Sequence, residues 1–357
     1  MLDTLTLQPG NPFVEQLFQD RLKHRVAASA ELRDTDVPAG ESMYAAYVRS
    51  LPECADWTEE KIVQNTQYTR TMTRKIRDEG YDPAVFEQWS AANCEFWGPV
   101  RVALDNEGHL FLGDGNRRAI ALYLSGLPIQ AHVYYRSPVW QSVVEAVVRP
   151  GAWLYQPFPH PEFAGMPVGR KSVERYQTVA KYLLKQGIGK VLELGSNYGA
   201  GCVAMAQEGL AVCGVEHTVA YERMQKALFS VYSDLALESI FGHITAASME
   251  GVGAVVGLSV WHHLSQSVAM LDECIEHVKA SPIQIVELPE PTSEIWPASL
   301  VAETGLAKSQ LTDFVIDRIC KQGKYNRGQV IWSDPAYNGR DTVVLTKKGK
   351  KNGTRRS

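Results

Sequence analysis

At 357 residues the chain is long for a single hydrophobic core, so two domains are expected. Hydrophobic residues make up 45% and charged residues 21%, with a formal net charge of −4, which gives no general attraction to nucleic acid or to an anionic membrane. No stretch reaches the ~18 apolar residues of a membrane span, the first residues MLDTLTLQPGNPFVEQ have no apolar signal-peptide core, and six scattered cysteines with no C-x-x-C pair suit reduced thiols, not a zinc site. A cytoplasmic protein with no bound metal is therefore expected.

Residues 1–55 read as an extension of one or two short helices, broken at Pro38-Ala39-Gly40. A helix follows from Asp56 or Thr58 to Gly80, with Glu59 and Glu60 in its first turn. Trp57, Ile62, Tyr68, Met72 and Ile76 recur along it at helical spacing and are assigned to a core. Strands are predicted at 99–104, 109–112 and 129–135. The first two are joined by the turn Asp105-Asn-Glu-Gly108, and Gly113-Asp114-Gly115 opens a helix over Asn116–Ser125. Five prolines, at 150, 157, 159, 161 and 167, place the connection between domains at 146–170.

Beyond it, helix and strand alternate. Helices are predicted at 173–185, 199–208, 220–231, 265–279 and 299–321. Strands are predicted at 190–194, 211–215, near 240–245, and at 254–258, 283–287, 329–333 and 341–346. This alternation argues for a doubly wound, Rossmann-like α/β sheet over 171–347, followed by a basic tail, 348–357.

The sharpest motif is Val191-Leu-Glu193-Leu-Gly195-Ser-Asn197-Tyr-Gly199-Ala-Gly201. An apolar strand meets glycines that permit a tight turn, and a helix follows whose first amides suit an anion. Cys213-Gly-Val-Glu216 then puts an acid at the end of the next strand, where a carboxylate can accept from two ribose hydroxyls. With Ser259-Val-Trp261-His262-His263-Leu264 further on, the whole resembles the class I S-adenosylmethionine (SAM) dependent methyltransferases, and the last two strands resemble the antiparallel end of their sheet. The resemblance implies SAM as cofactor, held by Glu193, Gly195, Asn197, Gly199, Glu216, Ser248 and Ser259. A nicotinamide dinucleotide is the competitor, since Gly199-Ala-Gly201-Cys-Val-Ala204 matches G-x-G-x-x-A; that fingerprint should start directly after the strand, where Gly195 stands instead.

Methyl transfer from a sulfonium needs alignment, and a base only for an acceptor that must lose a proton. His262, His263 and Glu287 are the candidate catalytic residues. His160, in Tyr155-Gln-Pro-Phe-Pro-His160-Pro, and the run Asp334-Pro-Ala-Tyr337-Asn338-Gly-Arg340 are further candidates for the mouth of the site.

In the N-terminal half, Gly108 to Val133, with Asp114-Gly115-Asn116-Arg117-Arg118 at the start of an Ala-rich helix, resembles the ParB/sulfiredoxin-type α+β fold over residues 56–145. The resemblance implies binding of a phosphate group or a magnesium-bound nucleotide at Asp114, Gly115, Asn116, Arg117 and Arg118; the competing reading has the arginines bracing the fold. The expected function is methylation of a small-molecule or glycan-like acceptor, phosphorylated or not. The alternatives are a bifunctional nucleotide-dependent kinase–methyltransferase, a nucleic-acid methyltransferase guided by the N-terminal domain, and a non-catalytic binding protein. Leu258-Ser-Val-Trp-His-His stands where amino-methylating DNA enzymes carry [D/N/S]-P-P-[Y/F/W], which disfavours nucleic acid as partner. Oligomeric state has no signal in the sequence.

Overall fold

The computed structural model describes residues 4–83, 88, 99–169, 173–289, 295–334 and 340–348. The chain forms two compact units, one of Met1–Glu145 with Pro159–Met166, the other of Ala146–Phe158 with Pro167–Ser357.

In the first unit a four-stranded sheet has the order β1-β4-β2-β3, where β1 is Thr4–Leu7, β2 Val100–Leu104, β3 Leu110–Asp114 and β4 Ile129–Arg136. β2 lies parallel to β4, and the other pairs are antiparallel. Residues 4–7 are thus built into the sheet, with Leu5 and Leu7 fully buried, where a helical extension was expected. Among the described residues its α-helices are α1 (Pro12–Glu15), α2 (Lys23–Asp34), α3 (Met43–Arg49), α4 (Glu59–Glu79), α5 (Asn116–Leu124) and α6 (Pro138–Val147), the last two residues of α6 falling in the second unit. The α4 start follows from its cap: the Thr58 hydroxyl accepts from the Lys61 amide at 3.3 Å. It ends at Gly80, whose φ of +78° suits a residue without Cβ. Ile62, Met72 and Ile76 are buried as their spacing predicts, while Trp57 and Tyr68 are only half-buried.

The second unit carries a seven-stranded sheet in the order β10-β11-β9-β8-β5-β6-β7. Its strands are β5 (Lys190–Leu194), β6 (Ala211–Glu216), β7 (Leu237–Phe241), β8 (Ala254–Leu258), β9 (Ile283–Glu287), β10 (Tyr325–Asp334) and β11 (Arg340–Lys347). β5 to β9 are mutually parallel, and β11 and β10 close one edge antiparallel. Successive strand residues feed opposite cores. Val191, Val256 and Ile285 pack with Val179 and Leu183 of α7 (Val173–Lys185) and Met205 of α8 (Ala200–Gln207). Leu192, Val255 and Val286 pack with Leu271 and Ile275 of α11 (Val268–Val278) and Leu311 and Val315 of α13 (Lys308–Gly323). Burial on both faces explains why these strands read as unbroken apolar runs. The remaining helices are α9 (Val219–Val231), the short α10 (Trp261–Leu264) and α12 (Ala298–Thr304).

Two further expectations are corrected. The helix predicted over 299–321 is two helices, parted at Gly305 with φ +67°. β7 lies at 237–241, ahead of the predicted 240–245. The histidine pair, between the predicted strand and helix, sits on a helical turn, α10. Among the described residues no helix is long and apolar enough to cross a membrane, and Cys54, Cys202, Cys213 and Cys274 are buried thiols.

Candidate cofactor site

The strand order reverses at β5, whose neighbours are β6 on one side and β8 on the other. In open α/β sheets a crevice forms at this point, outside the carboxyl ends of the strands. The glycine motif occupies it. Within five residues the backbone takes three left-handed steps, at Gly195 (φ +62°), Asn197 (+54°) and Gly199 (+82°). Asparagine tolerates this region because its amide can bond locally, and here its Oδ1 accepts from the Tyr198 amide at 2.9 Å. Gly199 is the N-cap of α8 and supplies no side-chain acceptor, so the first amides of that helix have no cap. A Cβ on Gly195 would lie 2.5 Å from Val260 Cγ2, and one on Gly199 would lie 2.8 Å from the Phe229 ring. The glycines are thus required by the protein's own packing around the loop. From below, Ser196 Oγ donates to Gln225 Oε1 at 3.1 Å, and both residues are fully buried.

The two acids beside the loop are held by different partners. Glu193 is buried and takes hydrogen bonds from the Cys202 thiol, at 2.9 Å, and from Tyr176. Burial pushes its carboxyl up to about 7, against the opposing effect of these two donors and of the Arg175 charge. Glu216 is also buried, but its carboxylate accepts three backbone amides: Asn197 at 3.0 Å on one oxygen, His217 at 2.9 Å and Thr218 at 2.8 Å on the other. It therefore ties the glycine loop to the start of α9. Of its four lone-pair sites these amides use three, two on the oxygen facing His217 and Thr218 and one on the oxygen facing Asn197.

The ends of β8 and β9 hold a buried polar cluster that sequence reasoning saw only in part. Glu287 was a candidate base. It is 1% exposed, and its carboxylate accepts from the Arg175 guanidinium, from the Ser259 hydroxyl and, at 3.4 Å, from the Thr342 hydroxyl. Arg175 is 5% exposed; burial pulls its pKa down, but neighbouring Tyr176 and Glu287 more than offset this, and the net shift is upward. Arg175 was missed, although a signal existed: it falls one turn before Val179 and Leu183 on the apolar stripe of α7, an unusual place for a charge. Ser259 has φ +58°, its amide donates to the Glu287 carbonyl at 3.1 Å, and Arg340 Nη1 lies 3.4 Å from its hydroxyl.

His262 is buried and His263 exposed, with ring centroids 4.0 Å apart. Partial desolvation, then the charge of His217, lower the His263 pKa against the pull of Glu216. Ser248 is exposed and its hydroxyl accepts from the Glu250 amide at 3.2 Å. In the run 334–340, residues 335–339, including Tyr337 and Asn338, lie outside the described residues.

The first unit brings the other candidates together differently. Asp114 Oδ1 accepts from the Gly115 amide at 2.6 Å, and Gly115 (φ +70°) caps α5 with Val100 Cα only 2.8 Å from where a Cβ would be. The Arg117 guanidinium lies 5.4 Å from the Tyr68 ring centroid and, with the Asn65 amide turned, 3.2 Å from its oxygen. Arg118 is buried. Asn116 starts α5, with its side-chain oxygen buried. His160 is part of the first unit, fully buried, its Nε2 2.9 Å from the Gly108 carbonyl oxygen and its Nδ1 accepting from the Glu162 amide at 3.1 Å. Glu162 in turn accepts from Trp140 Nε1 at 2.7 Å and pairs with Arg136 at 2.6 Å. Asp105, Glu107 and His109 bring possible metal-ligating atoms within 4.8 Å, but Asp105 already closes its turn on the Glu107 and His109 amides.

No protein-family model and no curated protein matches this chain. Solved structures similar to parts of it include two of the bifunctional kinase-methyltransferase WbdD, one with 19% identity, covering 58% of this chain and 46% of that one at a TM-score of 0.43, the other with 19%, 58% and 46% at 0.44. Another is magnesium protoporphyrin IX methyltransferase ChlM from Synechocystis PCC 6803 with bound SAM (12%, 49% and 79%, 0.37). The chain spans about half the length of the WbdD chains it matches.

Proposed function

We propose that the second unit is a SAM-dependent methyltransferase acting on a small-molecule or glycan-like acceptor. The observation that carries the reading is the coupling of Glu216 to the glycine loop. The carboxylate at the end of β6 accepts the Asn197 amide, 3.0 Å away, and keeps an acceptor site beside the crevice. The loop, the uncapped α8 amides and this acid together match an amino-acid carboxylate joined to a ribose. Glu193 is the acid on the ammonium side; a cation there would favour its ionised form.

Transfer itself is an in-line displacement: the acceptor atom bonds to the methyl carbon as the carbon–sulfur bond breaks, and SAM leaves as S-adenosylhomocysteine (SAH). For a hydroxyl acceptor the proton goes to a base. Of the three candidates, His263 is best suited, because it is exposed and its lowered pKa keeps it neutral near pH 7. Glu287 is engaged by three donors and is assigned to holding the site's shape. A phosphate or magnesium-nucleotide site at Gly113 to Arg118, and with it a second, kinase activity, has no specific support from the geometry there, where Asp114 and Arg117 bond within the chain.

Isothermal calorimetry with SAM and SAH tests the reading. One site per chain is expected. Glu216→Ala should cost about 1–3 kcal/mol of binding, since both the loop anchor and a ribose acceptor are lost. No binding of either compound to the wild type overturns the methyltransferase reading; unchanged affinity in Glu216→Ala overturns the assignment of Glu216.

A further inference from the structure

We propose that Arg175 is a positioning residue for the cofactor loop, acting through a brace that runs Arg175–Glu287–Ser259–Val260–Gly195. The inference rests on the reading of that loop as the SAM site. Each link is a direct contact. Arg175, on α7, pairs with Glu287 at the end of β9. Glu287 holds Ser259 twice, by its carboxylate on the hydroxyl and by its carbonyl on the amide at 3.1 Å. Ser259 is thereby kept at φ +58°, a left-handed conformation that is uncommon for a residue with a Cβ and costs free energy unless its surroundings support it. That turn aims Val260 at the loop, where its Cγ2 lies so near Gly195 that a Cβ would be 2.5 Å away.

Two observations mark the brace as more than packing. A buried ion pair adds little to stability compared with apolar residues of the same size, so its presence calls for another reason. Backbone strain in a non-glycine residue, imposed by charged partners beside a ligand crevice, is the usual mark of a preorganised site. Among the described residues Arg175 Nε is buried with no hydrogen-bond partner, so this guanidinium accepts an unfavourable burial to reach Glu287.

SAH affinity and thermal stability, measured separately on the full chain, test the proposal in wild type, Arg175→Lys, Arg175→Met and the double variant Arg175→Met/Glu287→Leu. Arg175→Met should weaken SAH by about tenfold or more, the scale of a lost charged hydrogen bond, and Arg175→Lys should recover most of it. The double variant removes the stranded charge, so it should regain thermal stability while its SAH affinity stays low, because Ser259 has lost its acceptor. Wild-type affinity in folded Arg175→Met, or recovery of affinity together with stability in the double variant, overturns the proposal. Should Arg175→Met fail to fold, the double variant decides on the same criterion. Absence of SAH binding in the wild type removes the cofactor reading and this inference with it, an outcome distinct from a defect confined to the variants.

Discussion

His160 shows how a single side chain fixes a pH response. Its two ring nitrogens play opposite roles, Nδ1 accepting from Glu162 and Nε2 donating to the Gly108 carbonyl, which only a neutral ring can do. Burial, opposed by the bond to Gly108, lowers its pKa from 6.5 to about 4. The unfolded chain therefore takes up the proton first as pH falls. The stabilisation is complete above 6.5 and is lost on descending toward 4. Between pH 7.5 and 4.5 the first unit should lose about 2.5 kcal/mol from this residue alone. Chemical denaturation of wild type and His160→Asn at the two pH values checks this: the variant should be less stable at pH 7.5 and show a smaller drop on acidification. An equal drop in both rules out the assignment. His160 was visible in the sequence as a candidate, but its partner Gly108 lies 52 residues away, and no local pattern announces such a bond. Glu216 was legible for the opposite reason, since its strand-end position and neighbouring helix start are both local.

Among the elements, the glycine loop is where sequence and structure agree in position and differ in cause. The glycine motif located Gly195, where the chain must turn sharply at the end of β5. The expected reason was close approach of a ligand; the structure adds a left-handed φ and the Val260 side chain. Gly195→Ala should therefore weaken SAH binding and destabilise the second unit, with ~1–2 kcal/mol from the left-handed φ and a further loss from the clash. Adding Val260→Ala should return part of the stability by making room. If the double variant is no better than Gly195→Ala alone, Val260 is not what meets the new methyl group. Helices and strands with strong periodicity were predicted within a residue or two, α7 and β9 among them. The misses have physical causes. β1 is four residues long and owes its strand to β4, more than 120 residues on. Gly305 was absorbed into one long helical pattern because the apolar stripe continues on both sides of it. The buried brace was hidden because Ser259, Glu287 and Arg175 come together only through the sheet and the packing of α7.

For the whole molecule, the two units each have a core of their own, one built on Leu32, Tyr44, Val48 and Ile62, the other on both faces of the seven-stranded sheet. A ligand of the second unit should therefore act on that unit's melting. At a hundredfold excess over its Kd, SAH should add about 2.7 kcal/mol to the second unit's stability. In scanning calorimetry one heat-absorption component should move upward and the other stay in place. Movement of both by the same amount would show that the units melt as one.

The order in which the chain visits the two units has a consequence for synthesis. Residues 146–158 belong to the second unit and 159–166 return to the first. Neither unit is therefore a continuous stretch. The first lacks His160 and Glu162, and so the partners of Gly108, Trp140 and Arg136, until position 166 has emerged from the ribosome. The second, conversely, depends on an early piece: Val147 accepts from the Tyr198 hydroxyl, Arg149 donates to the Tyr221 hydroxyl, and Leu154 bridges to Val168. A single proteolytic nick after Met166 would leave the second unit's larger fragment without 146–158. Cutting the gene in two at that point would not yield two intact parts.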